Sequence, residues 1–391
     1  ACYRNVRLQS AISLSGVKKV RAGAFNSCEK LTEVNFGAQI DEIGEYAFAG
    51  CSALKKAELP GGVTKIGNYA FADCSALTTF ALPDSLASLG AGALRGCLGL
   101  QSISVAASNT AYAVKADGCL YTKDGKTLIL YVKGNDVSYT VDGGVETILN
   151  GAFSCAGNLV SMTVGENVKT IANGALAGAK NLQTLTLPFL GGTAADADSG
   201  YLAYAFGAEL ASFNGETGKF TPASLKEVKI LKAMTSVPDY AFYGCLLLKT
   251  IDLTNVMKIG TYAFGLCASL EEATIAKVTN LGGYAFASCT ALKTAAIPAA
   301  ITEIPVGAFY GCTALESVTG TENVTKVGAY AFGGCSALTS VTFGSALKEI
   351  GSYAFASCGS NDGLTFSLIL GGESAPAIGL NAVAKRECGF S

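Results

Sequence analysis

The chain has 391 residues, half of them apolar and 15% charged, with a formal net charge of −2. Such a composition packs a core, and its scattered Lys and Arg supply no electrostatic footprint for nucleic acid. No run of about 18 apolar residues codes a transmembrane helix. Histidine is absent, which removes His-based triads, His metal ligands and the usual general base.

Taken in order, the chain opens on Ala1-Cys2 with Leu8 downstream, a degenerate copy of a unit that then recurs. Because this start already sits inside a repeat, we expect more chain upstream, with room for a targeting segment. The unit stands clearly from Tyr46 to Phe71, which opens and closes on Tyr-Ala-Phe 23 residues apart. Its Ala-Phe anchor recurs at Phe25, Phe48, Phe71, Leu94, Phe153, Leu176, Phe206, Phe242, Phe264, Phe286, Phe309, Phe332 and Phe355. Self-similarity at this period marks a solenoid or a propeller, and one solenoid can run to 391 residues without closing several cores. We expect 14–15 coils in a single array.

Within a coil, Leu54-x-x-Ala57-x-Leu59 alternates as a strand does, and Pro60 ends it because proline cannot donate to a ladder. Neighbouring coils place Val34/Phe36 and Phe80/Leu82 at the same offsets, so these strands should stack in parallel. A second short extended piece, Val63 to Ile66, leads to a turn at Gly67. The spacing Phe71-x-x-Cys74-x-x-Leu77 then predicts one or two turns of 3-10 or α-helix with those three side chains inward.

Regular repeats fill 1–102. The segment 103–145 is an insert whose CLYTKDGKTLILYV reads as a hairpin about Asp124-Gly125. Repeats resume over 146–188. The Gly/Ala/Ser/Thr-rich 189–224 reads as an irregular, decorated coil, regular repeats cover 225–358, and 359–391 reads as a C-terminal cap.

The pattern Leu-x-x-Leu-x-Leu-Pro followed by Ile-Gly-x-x-Ala-Phe-x-x-Cys-x-x-Leu stands almost complete as Leu54 to Leu77 and as Leu292 to Leu315. It resembles the leucine-rich repeat of the BspA-like (Treponema pallidum-type) class, over nearly the whole chain. The departures are Leu94 and Leu176 for Phe, alanine in two Cys slots, and the two inserts. The resemblance implies an α/β leucine-rich repeat solenoid from a secreted or surface-displayed bacterial protein that binds other proteins, adhesion being the commonest proposed role. A structural spacer presenting a further domain is the alternative.

Of fourteen cysteines, ten (28, 51, 74, 97, 245, 267, 289, 312, 335 and 358) fall three residues after an anchor, where Ala156, Ala179 and, in one irregular repeat, Glu209 also stand. A slot that accepts alanine is a small apolar packing site. Only Cys2, Cys119, Cys155 and Cys388 lie off this column, and a disulfide among them stays open. No Cys-x-x-Cys pair, Walker-type loop or dinucleotide fingerprint is present. Glu271-Glu272 read as successive strand positions facing apart, and Asp196-Ala-Asp198-Ser-Gly200 lacks the further ligands of a calcium loop. We therefore expect no enzyme, no metal and no cofactor.

Two surfaces remain for a partner. The outward strand residues, such as Thr32, Lys56, Glu58, Thr250, Thr294 and Ser340, are polar without a hot-spot aromatic. The residue two before each anchor is Tyr at 46, 69, 204, 240, 262, 284, 330 and 353, and Gly at 23, 92, 151, 174 and 307. Tyr240, Tyr262, Tyr284, Tyr330 and Tyr353 should line up about 5 Å apart if the coils stack as parallel strands do. They form the candidate surface for a protein, or a glycan, partner; the alternative is a purely structural tyrosine ladder.

Overall fold

The computed structural model describes residues 10–132, 136–195, 200–208, 221–359, 367–370 and 376–382. The two Asp of the 196–200 stretch, Glu209, Cys2, Cys388 and most of the cap lie outside them. Two units divide the chain: Ala1–Leu182 with Tyr204–Ala208, and Gln183–Ala203 with Glu209–Ser391. Each is a stack of coils.

In the first unit, strands Ser10–Ser13, Leu31–Asn35, Lys56–Ala57, Thr79–Leu82 and Ser102–Val105 form one parallel sheet. A second parallel sheet runs through Lys19–Val20, Glu42–Ile43, Lys65–Ile66 and Ser88–Leu89. Alternation explains the facing: in Thr79–Leu82, Phe80 and Leu82 are buried while Thr79 and Ala81 are exposed. Gly67 closes the corner for a reason other than turning freedom. A Cβ there would lie 2.5 Å from the Glu45 amide nitrogen of the coil before, so only glycine lets the two backbones meet.

The Tyr-Ala-Phe segment is not helical, contrary to the expected 3-10 or α turns. Its amides alternate. Those of Ala47, Ala49 and Cys51 bond back three residues to Gly44, Tyr46 and Phe48 within the coil (3.2 Å each). Those of Tyr46, Phe48 and Gly50 point instead to Asn68, Ala70 and Ala72 of the next coil (2.7–3.0 Å). Left-handed backbone at Tyr46 (φ 53°) and Gly50 (φ 72°) produces the alternation, because a helix needs every φ right-handed. The segment thus works as a further ladder between coils. Among the described residues the only helix is Leu202–Ala205, and Tyr204 sits in it, out of the left-handed register of the other tyrosines.

Phenylalanines stack along each unit's axis: Phe25, Phe48 and Phe71 at 5.1 and 5.2 Å, then Phe242 through Phe355 at 5.2–5.6 Å, with ring planes within 12°. The insert contributes a ring that the anchor spacing concealed. Tyr131, fully buried, stacks on Phe153 at 5.4 Å and donates its amide to Ala152, taking a Phe slot 22 residues ahead. Before it, Tyr112–Val114, Leu120–Thr122 and Thr127–Leu130 form an antiparallel meander whose last strand pairs in parallel with Thr147–Ile148.

In the second unit the corner between the two extended pieces varies. Leu59 to Val63 is four steps in a 23-residue coil, and Leu253 to Val256 is three. There the strand ladder lapses. Thr184–Leu187 pairs with Glu227–Ile230, a single bridge joins Glu227 to Thr250, and pairing resumes only at Thr294–Ala296 with Ser317–Thr319. Glu271-Glu272 therefore lie in irregular backbone rather than in a strand, and Glu271 meets Lys249 at 3.5 Å. A shallow groove of about 380 Å³, lined by Lys229, Thr250, Ile251 and Asp252 among others, opens beside the lapsed strand.

Candidate functional site

The cysteine column is more than filler. Eight of its ten thiols reach back one coil to a phenylalanine carbonyl, among them Cys51 to Phe25, Cys74 to Phe48, Cys289 to Phe264, Cys312 to Phe286 and Cys335 to Phe309, all at 3.1–3.2 Å. A thiol is a weak donor. Twelve cysteines, among them Cys119 and Cys155, are free and buried. Burial pushes the thiols of Cys51, Cys245, Cys312 and Cys358 up to about 12. They are held as thiols, and a nucleophile requires the thiolate.

One cluster of ionisable groups lies in the insert. Asp117 accepts hydrogen bonds from the hydroxyls of Tyr121 and Tyr139 (2.8 Å for Tyr139) and from the Cys119 amide (3.0 Å). Burial works against its charge, yet these donors hold its carboxyl below the ordinary range. The cluster seals the end of the meander, where Tyr139 also packs edge-on to Tyr131 and Phe153. Among the described residues no group of three or more His, Cys, Asp or Glu is placed to hold a metal ion. Nor is any helix there long and apolar enough to cross a membrane.

The tyrosine register makes the other concentrated feature. Tyr46, Tyr69, Tyr240, Tyr262, Tyr284, Tyr330 and Tyr353 all adopt φ between 53° and 58°, and Gly23, Gly92, Gly151, Gly174 and Gly307 adopt 61–71°. Tyrosine and glycine alternate because both hold left-handed backbone, which releases the amide toward the next coil. It is not that the core tolerates either. Glycine takes this conformation freely; an L-side chain spends roughly 1–2 kcal/mol on it.

What the rings gain is one another. Tyr46 stacks on Tyr69 at 5.1 Å, Tyr240 on Tyr262 at 5.5 Å, Tyr262 on Tyr284 at 4.9 Å, and Tyr330 on Tyr353 at 5.1 Å, all within 11° of parallel. Burial, followed by the neighbouring Tyr284, Tyr240 and Tyr243, raises the Tyr262 hydroxyl above its ordinary value. Of the five residues singled out, three form one continuous row and two another, separated by the coil of Gly307. Tyr46 and Tyr330 are exposed, and the rest are half-buried.

Two further rings join them. Tyr243 packs edge-on to Tyr240 and Tyr262 at 5.8 and 6.0 Å, and Tyr310 packs edge-on to Tyr330 at 6.2 Å. Both directly follow an anchor Phe, a position otherwise held by Ala, Gly, Ser, Asn or Arg, and that substitution was the signal available in the sequence. The strand face carries no such grouping. Its Thr, Lys and Glu are exposed, with ion pairs such as Lys56–Glu58 at 2.5 Å.

A stack of parallel short strands on a repeating Leu, Phe and Cys spine defines a leucine-rich repeat solenoid. The model of the BspA type leucine rich repeat region matches in six copies, over residues 1–116, 135–191, 216–338 and 302–370, and the chain belongs to that family. Its fold is similar to a leucine-rich repeat protein from Bacteroides ovatus, with 20% identity, a TM-score of 0.51, and 94% of this chain and 85% of that one covered. A leucine-rich repeat protein from Eubacterium ventriosum matches at 22% identity and TM-score 0.47, over 83% of this chain and 88% of its own. A leucine rich cell surface protein from Faecalibacterium prausnitzii matches at 24% and 0.43, over 82% and 74%. No curated protein matches the chain.

Proposed function

We propose that the chain is a non-enzymatic protein-binding module of a bacterial cell surface, and that its tyrosine rows form the binding face. The observation that carries this is the retention of half-exposed tyrosine in a left-handed conformation that glycine adopts at no cost. Tyrosine offers large area with little rotamer entropy to lose on binding. Stacking covers the ring faces and leaves edges and hydroxyls outward, which suits a protein surface better than a sugar, whose apolar patch needs an open face. Membership of the BspA type family is in keeping with a surface role in adhesion.

The test is a binding screen against purified surface proteins and a glycan array. It compares the native chain with the Tyr262→Ser, Tyr284→Ser, Tyr330→Ser triple variant and with Thr250→Ala, Thr294→Ala, Ser340→Ala. For a protein partner found this way, the tyrosine triple variant loses affinity by more than about 2 kcal/mol, as hot-spot residues do, and the other triple variant binds normally. Loss in the threonine/serine variant alone moves the site to the strand face and ends the reading.

A further inference from the structure

The sheet that carries Glu227–Ile230 stops short on one side. Toward Thr184–Leu187 this strand pairs along all four of its residues. Toward the following coil it makes one bridge, Glu227 to Thr250, where Thr79–Leu82 and Ser102–Val105 of the first unit pair over four. The groups left over can be named. The Glu227 and Leu231 amides donate to the Gln183 and Leu187 carbonyls (3.1 and 2.8 Å), and successive residues of a strand offer N–H and C=O to opposite edges. Val228 and Ile230 therefore face the following coil. Among the described residues, the Val228 carbonyl and both main-chain groups of Ile230 have no hydrogen-bond partner.

These groups open onto the groove of about 380 Å³. Its far wall is irregular backbone at Ile251 and Asp252, so no described residue completes the ladder. Half-buried Ile230 and Ile251 make its sides apolar. Lys229 and Lys232 are exposed along the open part, and among the described residues neither makes an ion pair. Of the acids, Glu227 sits at the bridged end, and Asp252 accepts the Thr254 amide at 2.9 Å within its own turn. An unfilled sheet edge is a template for another chain. Here it lies in a groove whose open part carries two unmatched cations.

We propose that the Val228–Ile230 edge takes an extended segment of a partner polypeptide as an added strand, one that alternates apolar and acidic residues. Its main chain pairs with Val228 and Ile230, its apolar side chains lie against Ile230 and Ile251, and its carboxylates meet Lys229 and Lys232. Three extended residues span roughly 10 Å, the length of the free edge. A sugar or a single anion would answer the lysines but not a donor and acceptors set at strand spacing. The edge belongs to the strand of its coil and the tyrosines to the turn segment, so this site is additional to the tyrosine rows and does not rest on them.

The probe is acetyl-Thr-Val-Glu-Val-Glu-Thr-amide, titrated against the whole chain with amide exchange read residue by residue. At saturation the Ile230 amide should exchange at least tenfold more slowly, while the Leu231 amide, already bonded to Leu187, should hardly change. Two N-methylated peptides test main-chain pairing, one modified at both Val and one at both Glu. Because only one edge of the segment faces Val228 and Ile230, one of the two should bind at least tenfold more weakly and the other within about threefold of the parent. Lys229→Glu with Lys232→Glu, both at exposed positions, should weaken the acidic peptide at least fivefold and favour its Lys-for-Glu counterpart. The Tyr262→Ser, Tyr284→Ser, Tyr330→Ser variant should bind the peptide normally, which separates this site from the tyrosine rows. An unprotected Ile230 amide, equal affinity of the two N-methylated peptides, indifference to the lysine reversal, or no binding overturns the proposal. Peptide binding lost in the tyrosine variant overturns it as well, since the segment would then sit on the rows.

Discussion

The coils of Phe48 and Phe71 and those of Phe242 and Phe264 share one spine and differ by a single residue at a corner. In both, phenylalanines stack at 5.2–5.3 Å, and the thiols of Cys74 and Cys267 bond to the carbonyls of Phe48 and Phe242, the rings behind them. In the longer coils the strand sheet is continuous through Lys56–Ala57 and Thr79–Leu82. In the shorter ones it lapses after Thr250, although Leu253 and Ile275 stay buried. The spine, not the strand ladder, sets the stacking. In the first unit strand pairing accompanies the longer corner, whereas Ser317–Thr319 and Ser340–Phe343 fall in separate sheets although their coil also has 23 residues.

The spine should therefore be equally costly to break in either region. Phe48→Ala and Phe264→Ala should each destabilise by about 3–5 kcal/mol in urea unfolding, as expected for emptying a packed aromatic slot. A much smaller loss at Phe264 would mean the shorter coils hold together differently. The corner is the next lever. Deleting Gly62 should cost about 1–3 kcal/mol, within the range of single structural changes, and should speed amide exchange over Lys56–Ala57. Inserting one glycine between Asn255 and Val256 should slow exchange at Thr250–Leu253, and an unchanged rate there would remove corner length as the cause.

Cys312→Ala should cost roughly 1–2 kcal/mol, since a small buried group and one weak hydrogen bond are lost. The same thiols set an alkaline limit. Their folded pKa is raised to about 12 at Cys51 and Cys312, while an unfolded thiol titrates near 8.5. Between those values the unfolded chain releases protons that the native chain keeps, so stability is full below about pH 8.5 and falls as pH rises toward 12. Replacing Cys289, Cys312 and Cys335 by alanine should flatten this alkaline decline, measured as Tm against pH. The smallest effect belongs to the tyrosines. Tyr262→Gly exchanges stacking of about 0.5–1.5 kcal/mol against relief of left-handed strain of similar size, and its Tm should barely move.

The period, the Phe and Cys columns and the inward strand residues were all legible in the sequence, because they repeat at a fixed offset and burial demands them. The conformation of the Tyr-Ala-Phe segment was not. Spacing by threes at Phe71, Cys74 and Leu77 fits a 3-10 turn and an alternating turn ladder equally well, and only the sign of φ at Tyr69 separates them. The Tyr/Gly alternation encoded that sign, but it reads as tolerance until the backbone is seen. Tyr131 escaped because its coil replaces Ala-Phe with Leu-Tyr and lies inside an insert. The five tyrosines could be placed in a line by register.

The sealed cysteine column also gives the molecule a record of its own damage. While the coils stay closed, oxidants meet no thiolate, and most of these sulfurs have no exposed surface. When a coil opens, its sulfur becomes available, and a sulfenic or sulfinic group formed there adds polar oxygen to a slot lined by phenylalanine and leucine. Such a coil cannot close again without burying that oxygen. In an oxidising medium each opening that outlasts the chemistry is therefore retained, and the working life of the protein is counted in coil openings rather than in equilibrium stability.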